Sequence, residues 1–161
     1  MNGTWYALRT KPRAEKKLQS CLMAWHVWNI LPLFEKVRKV QRRTVKTEIP
    51  IFPGYLIARL DAGERLRVLK TNMTIAIQPL PDARTVLHQL HRIIKAAKGV
   101  DELRLVPPTW NGDRVRIVRG PMKGLEGRVM VVDGKSLLTV NIDAFGAAIE
   151  VQVSPSDCEM L

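Results

Sequence analysis

The sequence predicts an α+β fold in which an antiparallel sheet with flanking helices is followed by a small five-stranded β-barrel. Two observations lead to this prediction. Strand-like and helical patterns alternate up to residue 98, whereas residues 111–161 hold five short apolar runs between turn-forming residues. Charge divides at the same place, because residues 1–98 carry 19 Lys and Arg against 6 Asp and Glu, and residues 99–161 carry 7 against 9.

We therefore predict two domains, residues 1–99 and residues 111–161, joined by a linker at residues 100–110 that contains Pro107-Pro108. The strongly basic first part favours a polyanionic partner such as nucleic acid. The nearly neutral second part suggests a protein partner instead. The simpler alternative is that the Lys and Arg residues only keep the surface soluble.

The first domain begins with a strand at Trp5–Arg9, which is followed by a helix. Pro12 suits the first position of that helix, because its missing N–H is not needed there. One apolar stripe at helical spacing indicates the buried face of the helix: Ala14, Leu18, Cys21, Leu22 and Trp25. A second short strand is predicted at Ile30–Phe34.

The rest of the first domain alternates in the same way. Lys36–Lys46 is rich in cations and is predicted to form a basic hairpin. A strand at Ile49–Leu60 is interrupted at Phe52-Pro53-Gly54, since Pro removes a hydrogen-bond donor and Gly permits unusual backbone geometry. A short helix at Arg65–Leu69, a strand at Ile75–Ile77 and a helix opened by Pro81-Asp82 complete the domain.

The strand after this interruption has two apolar faces. Tyr55, Ile57 and Arg59 share one face, and Leu56, Ala58 and Leu60 share the other. A sheet covered by helices on one side needs only one apolar face, so the second face can serve as an exposed docking surface. The alternative, that both faces are covered, is equally open from the pattern alone.

The second domain shows the alternation of short strands. Val115 and Ile117 alternate with charged residues and are predicted to face the barrel core, and Asp133-Gly134 predicts a tight hairpin turn. Five short strands within residues 111–161 are typical of a small closed barrel.

Several classes of function find no support in the sequence. The His residues and the two Cys residues form no metal-binding pattern, and no P-loop or nucleophile motif is present. We therefore expect no catalytic residue, metal or cofactor. The longest uncharged run contains polar residues and Pro32, so we expect no membrane span and a cytoplasmic protein.

Two motifs carry a resemblance to a known family. Asp113–Val129 resembles the KOW motif, and Trp5-Tyr6-Ala7-Leu8 followed by Phe52-Pro53-Gly54-Tyr55 resembles the N-terminal (NGN) domain of NusG-type transcription factors. Together the two motifs cover essentially the whole chain. Arg9-Thr10-Lys11-Pro12 with Glu15-Lys16-Lys17 resembles specialised antiterminators such as RfaH more than housekeeping NusG.

The resemblance implies a monomeric elongation or antitermination factor that suppresses pausing. In this family the NGN domain binds the clamp helices of the largest RNA polymerase subunit. The matching positions here are Arg9, Phe52, Pro53, Gly54, Tyr55 and Ile57. Arg9 stands where RfaH has an aromatic residue.

The resemblance also implies contacts with non-template or upstream DNA. The residues expected to bind nucleic acid are Lys11, Arg13, Lys17, Asn72 and Thr74, together with Arg42 and Arg43 from the basic hairpin. For the hairpin, a solvated run of charges is the alternative. RfaH's own base-reading His and Arg are replaced by Cys21 and Thr74, so a different sequence preference is expected.

The KOW barrel of the family recruits NusE and the ribosome, Rho, or nascent RNA. Ile142, Phe145 and Gly146 lie in the matching loop, where an exposed Phe145 would anchor a partner. The alternative for Phe145 is a side chain that fills the barrel core. The competing interpretation of the whole chain is a KOW-containing ribosomal or structured-RNA-binding protein.

Overall fold

The computed structural model describes residues 2–98, 100 and 102–161. The chain is α+β, as predicted, with three helices and antiparallel sheets among the described residues. Its internal contacts divide it into two compact units, one formed by Met1–Pro32 with Phe52–Arg84 and the other by Leu33–Ile51 with Thr85–Leu161. The predicted boundaries at residues 99 and 111 stay a prediction. No helix within the described residues is long and apolar enough to cross a membrane.

The first part of the chain contains both strands and helices, and the second part consists mainly of strands. Up to residue 97 they are β1 (Thr4–Thr10), α1 (Glu15–Ala24), β2 (Asn29–Ile30), β3 (Leu33–Val40), β4 (Arg43–Pro50), β5 (Tyr55–Leu60), α2 (Ala62–Lys70), β6 (Thr74–Pro79) and α3 (Ala83–Ala97). After residue 97, the described part of the chain forms strands and two single 3₁₀ turns, and the strands are β7 (Arg104–Val106), β8 (Asp113–Ile117), β9 (Glu126–Val132), β10 (Lys135–Ile142), β11 (Ala147–Gln152) and β12 (Cys158–Met160).

The first unit is built on a four-stranded antiparallel sheet in the order β2-β5-β1-β6. Leu8 of β1 and Leu56 of β5 are fully buried, as are Leu18 and Leu22 from the apolar stripe of α1. Burying four Leu side chains stabilises this unit by about 1.5–3 kcal/mol for each of them. The predicted stripe of α1 is therefore confirmed as the side of the helix that enters the core.

Two local expectations for this unit were wrong. Helix α1 begins at Glu15 rather than at Pro12, because Arg13 adopts a left-handed backbone conformation (φ 63°) that a right-handed helix excludes. The strand predicted at Ile30–Phe34 is also divided. Asn29–Ile30 pairs with β5, whereas Leu33 begins the hairpin after Pro32.

The basic hairpin is confirmed. Strands β3 and β4 are antiparallel, and their cross-strand pairs run from Leu33 opposite Pro50 to Val40 opposite Arg43. A two-residue turn at Gln41-Arg42 joins the two strands. Both turn residues have positive φ (45° and 68°). Every residue from Glu35 to Ile49 is exposed, so the hairpin is a two-stranded ribbon with solvent on both faces.

The second unit also contains a six-stranded antiparallel sheet in the order β12-β8-β9-β10-β11-β7. Its buried side chains include the two residues predicted from alternation, Val115 and Ile117. Asp133-Gly134 forms the expected hairpin turn, with φ of 49° and 74°. The five strands predicted within residues 111–161 are confirmed as β8 to β12. The sheet gains a sixth strand, because β7, which lies in the predicted linker, pairs with β11.

Polar contacts fasten the segment before β8 and the helix α3 to this sheet. The Asn141 side chain accepts a hydrogen bond from the Thr109 N–H (3.1 Å) and donates one to the Thr109 carbonyl (2.7 Å). From α3, Gln89 donates to the Asn141 carbonyl (2.8 Å) and Arg92 donates to the Gly124 carbonyl (2.7 Å). Two of these bonds satisfy the loop carbonyls of Thr109 and Gly124.

Candidate functional site

The interruption between β4 and β5 is a tight turn. The Tyr55 N–H donates to the Phe52 carbonyl (3.0 Å), which makes Pro53 and Gly54 the two central residues. Gly54 has φ +85°, and this value together with Pro at the preceding position is the pattern of a type II turn. Only Gly adopts such a φ without strain, so the residue types and the geometry agree.

Two bonds hold this turn in place from the N-terminal part of the chain. The Gly54 N–H donates to the Glu15 carboxylate (2.7 Å), and the Gly54 carbonyl accepts from the Thr10 N–H (2.8 Å). Glu15 is only 7% exposed, so this charge-assisted bond lies largely out of water. Sequence reasoning missed the role of Glu15. Its place in the first turn of α1 indicates only a favourable interaction with the helix dipole.

The predicted polymerase-binding residues divide into exposed and buried groups. Pro53 and Arg9 are exposed, Gly54 and Tyr55 are half-buried, and Arg9 lies directly opposite Tyr55 on the same sheet face. Phe52 and Ile57 are 0% exposed. The expectation that these two residues lie on an exposed apolar face was therefore wrong, because the fold uses both side chains as core. The alternative of two covered faces describes Ile57 correctly.

Part of the predicted nucleic-acid set meets at one end of the first sheet. The Lys11 N–H donates to the Met73 carbonyl (2.8 Å), and the Lys11 Nζ donates to the Asn72 Oδ1 (2.9 Å). Thr10 and Thr74 are partners across β1 and β6. Lys11, Asn72 and Thr74 are thus neighbours although more than sixty residues separate Lys11 from Asn72.

The other members of this set are exposed cations. Arg13 follows Lys11 in the loop before α1, and Lys17 lies on the exposed side of that helix. Arg42 lies in the turn of the β3–β4 hairpin and Arg43 begins β4, both in the second unit. The structure therefore groups Lys11 with Arg13 locally and places Arg42 beside Arg43 at the hairpin tip.

The predicted anchor of the barrel is not exposed. Phe145 is 4% exposed and Ile142 is fully buried, so the alternative of a Phe that fills the core is confirmed. Gly146 alone of the three is exposed, in a left-handed conformation that ends the 3₁₀ turn Asp143–Phe145. The side chain of Val131 on β9 is 70% exposed, which the sequence pattern did not indicate.

The His, Cys, Asp and Glu side chains are the groups that could bind a metal ion, and the thiols are the strongest nucleophiles among them. No group of three or more His, Cys, Asp and Glu in residues 2–98, 100 and 102–161 is placed to hold a metal ion. Burial, followed by the negative charge of Asp157, raises the pKa of the Cys158 thiol and keeps it protonated. A protonated thiol is a poor nucleophile.

Comparisons with known proteins agree with the arrangement of motifs. The family model described as "Transcription termination factor nusG" matches residues 3–101. The transcription termination/antitermination protein NusG of Borreliella burgdorferi is 23% identical over 95% of this chain and 96% of its own length. The NusG proteins of Pasteurella multocida and Haemophilus influenzae are 26% and 25% identical, over 81% and 82% of this chain and 75% of each relative.

These relatives do not support the predicted preference for the specialised antiterminators, because the proteins found carry the name NusG. The family match extends over more than half of the chain and includes the turn at Phe52–Tyr55. The chain therefore belongs to the NusG family and is a transcription termination/antitermination factor.

Proposed function

We propose that this factor binds the clamp helices of the largest RNA polymerase subunit through the surface around Pro53, Gly54 and Tyr55, with Arg9 beside them. The observation that carries the proposal is the tied turn, in which both backbone groups of Gly54 are bonded to Glu15 and Thr10. A turn fixed in this way presents Pro53 and Tyr55 in one orientation, and preorganisation reduces the entropic cost of binding.

Phe52 and Ile57 lie in the core beneath this surface. Both are fully buried, so they support the turn and the strand that follows it rather than contacting a partner. The exposed part of the surface contains one cation, Arg9, directly across from Tyr55. We therefore propose a docking contact that is partly ionic, with a carboxylate of the clamp helices as the partner of Arg9.

The nucleic-acid contacts belong to the same proposal. Lys11, Arg13, Lys17, Asn72 and Thr74 would face the non-template strand and the upstream duplex. Support comes from the bond between Lys11 and Asn72, which places a cation and an amide at one sheet end. The β3–β4 hairpin would bring Arg42 and Arg43 to DNA as well. A bound factor that bridges the clamp and the DNA stabilises the closed clamp and thereby suppresses pausing.

The barrel would recruit a second partner, which is NusE with the ribosome, Rho or nascent RNA. Because Phe145 is buried, we propose that contact is made by exposed groups such as Gly146 and Val131. Tethering to a polymerase-bound domain gives the barrel a high effective concentration near its partner. We propose no enzymatic activity for the chain.

A pull-down with purified RNA polymerase tests the docking surface. Arg9→Ala with Tyr55→Ala should reduce retained polymerase at least tenfold, because both side chains of the cross-strand pair are removed. Leu66→Ala, which truncates an exposed residue of α2 in the same unit, is the matched control and should bind normally.

Circular dichroism must show that the double variant keeps its fold. Unchanged polymerase binding by a folded double variant would sink the proposal. Co-sedimentation of the wild-type chain with ribosomes but not with polymerase would favour the ribosomal or RNA-binding alternative instead.

A further inference from the structure

The two faces of the β3–β4 ribbon differ sharply in charge. In an antiparallel pair, residues directly opposite each other point to the same face, and successive residues alternate. The register of the hairpin therefore assigns every side chain to one of two sets. The first, called the cationic face, consists of Phe34, Lys36, Arg38, Val40, Arg43, Val45, Thr47 and Ile49; the second, called the balanced face, consists of Leu33, Glu35, Val37, Lys39, Thr44, Lys46, Glu48 and Pro50.

The cationic face has three positive charges and no negative one. Lys36, Arg38 and Arg43 are all exposed, and none of them forms an ion pair among the described residues. Lys36 and Arg38 are two positions apart on one strand, so their side chains emerge about 6.7 Å apart. Their positive field is therefore directed outward from one side of the ribbon.

The balanced face has no net charge. It contains Lys39 and Lys46, but Glu35 and Glu48 lie directly opposite each other on the same face. The Lys46 Nζ is 3.2 Å from a Glu35 carboxylate oxygen, so one of the two cations is already paired. An approaching phosphate would meet no net positive charge here, because the two carboxylates offset the two cations.

We propose that the cationic face of the ribbon is the side that contacts the phosphate backbone of double-stranded DNA. The inference deepens the proposed function, on which it rests for the presence of upstream DNA near the hairpin. Strands of eight residues extend about 26 Å, long enough for the face to follow several phosphates. A two-stranded ribbon is also narrow enough to approach a DNA groove.

We expect this face to recognise the charge of the phosphates and not the base sequence of the DNA. Lys and Arg on this face donate to phosphate oxygens, which fix the position of a protein on the duplex and carry no base information. Of the uncharged side chains on this face, Val40 and Val45 lie between the cations and cannot hydrogen-bond to a base edge, and Thr47 carries the one hydroxyl. Binding through this face should therefore depend steeply on salt and weakly on DNA sequence.

The test compares two double variants of the full chain that lose the same charge from opposite faces. Lys36→Gln with Arg38→Gln removes two cations from the cationic face, and Lys39→Gln with Lys46→Gln removes two from the balanced face. Binding to a fluorescent 30-base-pair duplex is measured between about 50 and 200 mM salt. The first variant should have a log–log salt slope shallower by about 1.8, whereas the second should keep the wild-type slope.

Equal weakening by both variants would show a general charge effect and overturn the face assignment. Wild-type slopes in both variants would remove the hairpin from the DNA contact altogether. Tighter binding to a duplex RNA of the same sequence would also overturn the choice of DNA. The DNA-binding assay contains no polymerase. A failed pull-down with polymerase would therefore contradict the proposed function and leave the DNA-binding result unchanged. Thermal unfolding followed by circular dichroism confirms that both variants are folded.

Discussion

The β3–β4 and β9–β10 hairpins make the same kind of turn with very different residues. Each joins its strands through two residues that both have positive φ, 45° and 68° at Gln41-Arg42 and 49° and 74° at Asp133-Gly134. Asp-Gly is among the pairs that suit this geometry, whereas Gln and Arg have side chains that disfavour it. The same backbone therefore stores strain in one hairpin and little in the other.

The surroundings of the two hairpins increase this difference. Strands β9 and β10 are flanked by β8 and β11, while β3 and β4 pair only with each other among the described strands. An isolated two-stranded hairpin is marginally stable in water. The ribbon thus combines the weaker turn with the weaker support, and we expect it to open locally before the sheet does. Its residue types expose positive charge to solvent but do little to stabilise the hairpin.

The turn at Pro53-Gly54 differs from both hairpin turns, because a carboxylate distant in sequence, that of Glu15, holds it. We expect the largest loss of stability when this carboxylate is removed. Glu15→Ala removes the charged acceptor of the half-buried Gly54 N–H, so the free energy of unfolding should fall by about 2–3 kcal/mol. Urea unfolding measures the loss. Glu15→Gln keeps an oxygen acceptor and should lose less. Equal stability of all three chains would mean that Pro and Gly alone maintain the turn.

Exchanging the turn sequences tests whether residue type causes the difference between the hairpins. Asp133→Gln with Gly134→Arg places the ribbon's turn residues in the sheet, and the free energy of unfolding should fall by about 2 kcal/mol. Urea unfolding again provides the measurement. A conservative control, Asp133→Asn, keeps a residue that tolerates positive φ and should be nearly neutral. A fully stable exchange variant would contradict the strain assigned to Gln41-Arg42.

The reverse exchange should have a smaller and opposite effect. Gln41→Asn with Arg42→Gly relieves the ribbon's turn, so amide hydrogen exchange in β3 and β4 should slow by an amount equivalent to about 1 kcal/mol. The same variant removes the cation at the tip, so its salt slope for DNA should become shallower by about 0.9. Faster exchange in the variant would contradict the strain argument, and an unchanged slope would exclude Arg42 from the DNA contact.

The smallest effect is expected at Thr10, which ties the Pro53-Gly54 turn through its backbone. The Thr10 Oγ1 is buried and has no hydrogen-bond partner among the described residues. Thr10→Val removes this unsatisfied group and keeps the shape, so stability should stay the same or rise by up to about 1 kcal/mol. Thr10→Ala, which also removes a methyl group, is the control and should be less stable than Thr10→Val. A marked loss in the Val variant would reveal a bond to ordered water.

The sequence predicted most of the elements because their signals are local. Alternation identified β8, helical spacing identified the buried face of α1, and Asp133-Gly134 identified a hairpin. The same local signals failed at Phe52, Ile57 and Phe145. An apolar side chain looks the same in sequence whether it enters the core or meets a partner, and only the tertiary packing decides between them.

The contacts that organise the candidate site were also out of reach. The bond from Gly54 to Glu15 spans 39 residues, and the bond from Lys11 to Asn72 spans 61. No periodicity within one helix or strand encodes such a pair. Charge patterning was more informative, since it predicted the basic hairpin, but the division of its two faces required the register of β3 and β4.

The end of strand β1 has a mechanical consequence. The Thr10 N–H holds the Gly54 carbonyl, and the next amide, that of Lys11, holds the Met73 carbonyl. Two successive peptide units therefore fasten the turn proposed for polymerase and the loop proposed for DNA. Movement of either one should strain the bond to the other, so we expect the two proposed binding events to be coupled. By thermodynamic linkage, if bound DNA raises the affinity for polymerase by some factor, bound polymerase must raise the affinity for DNA by the same factor.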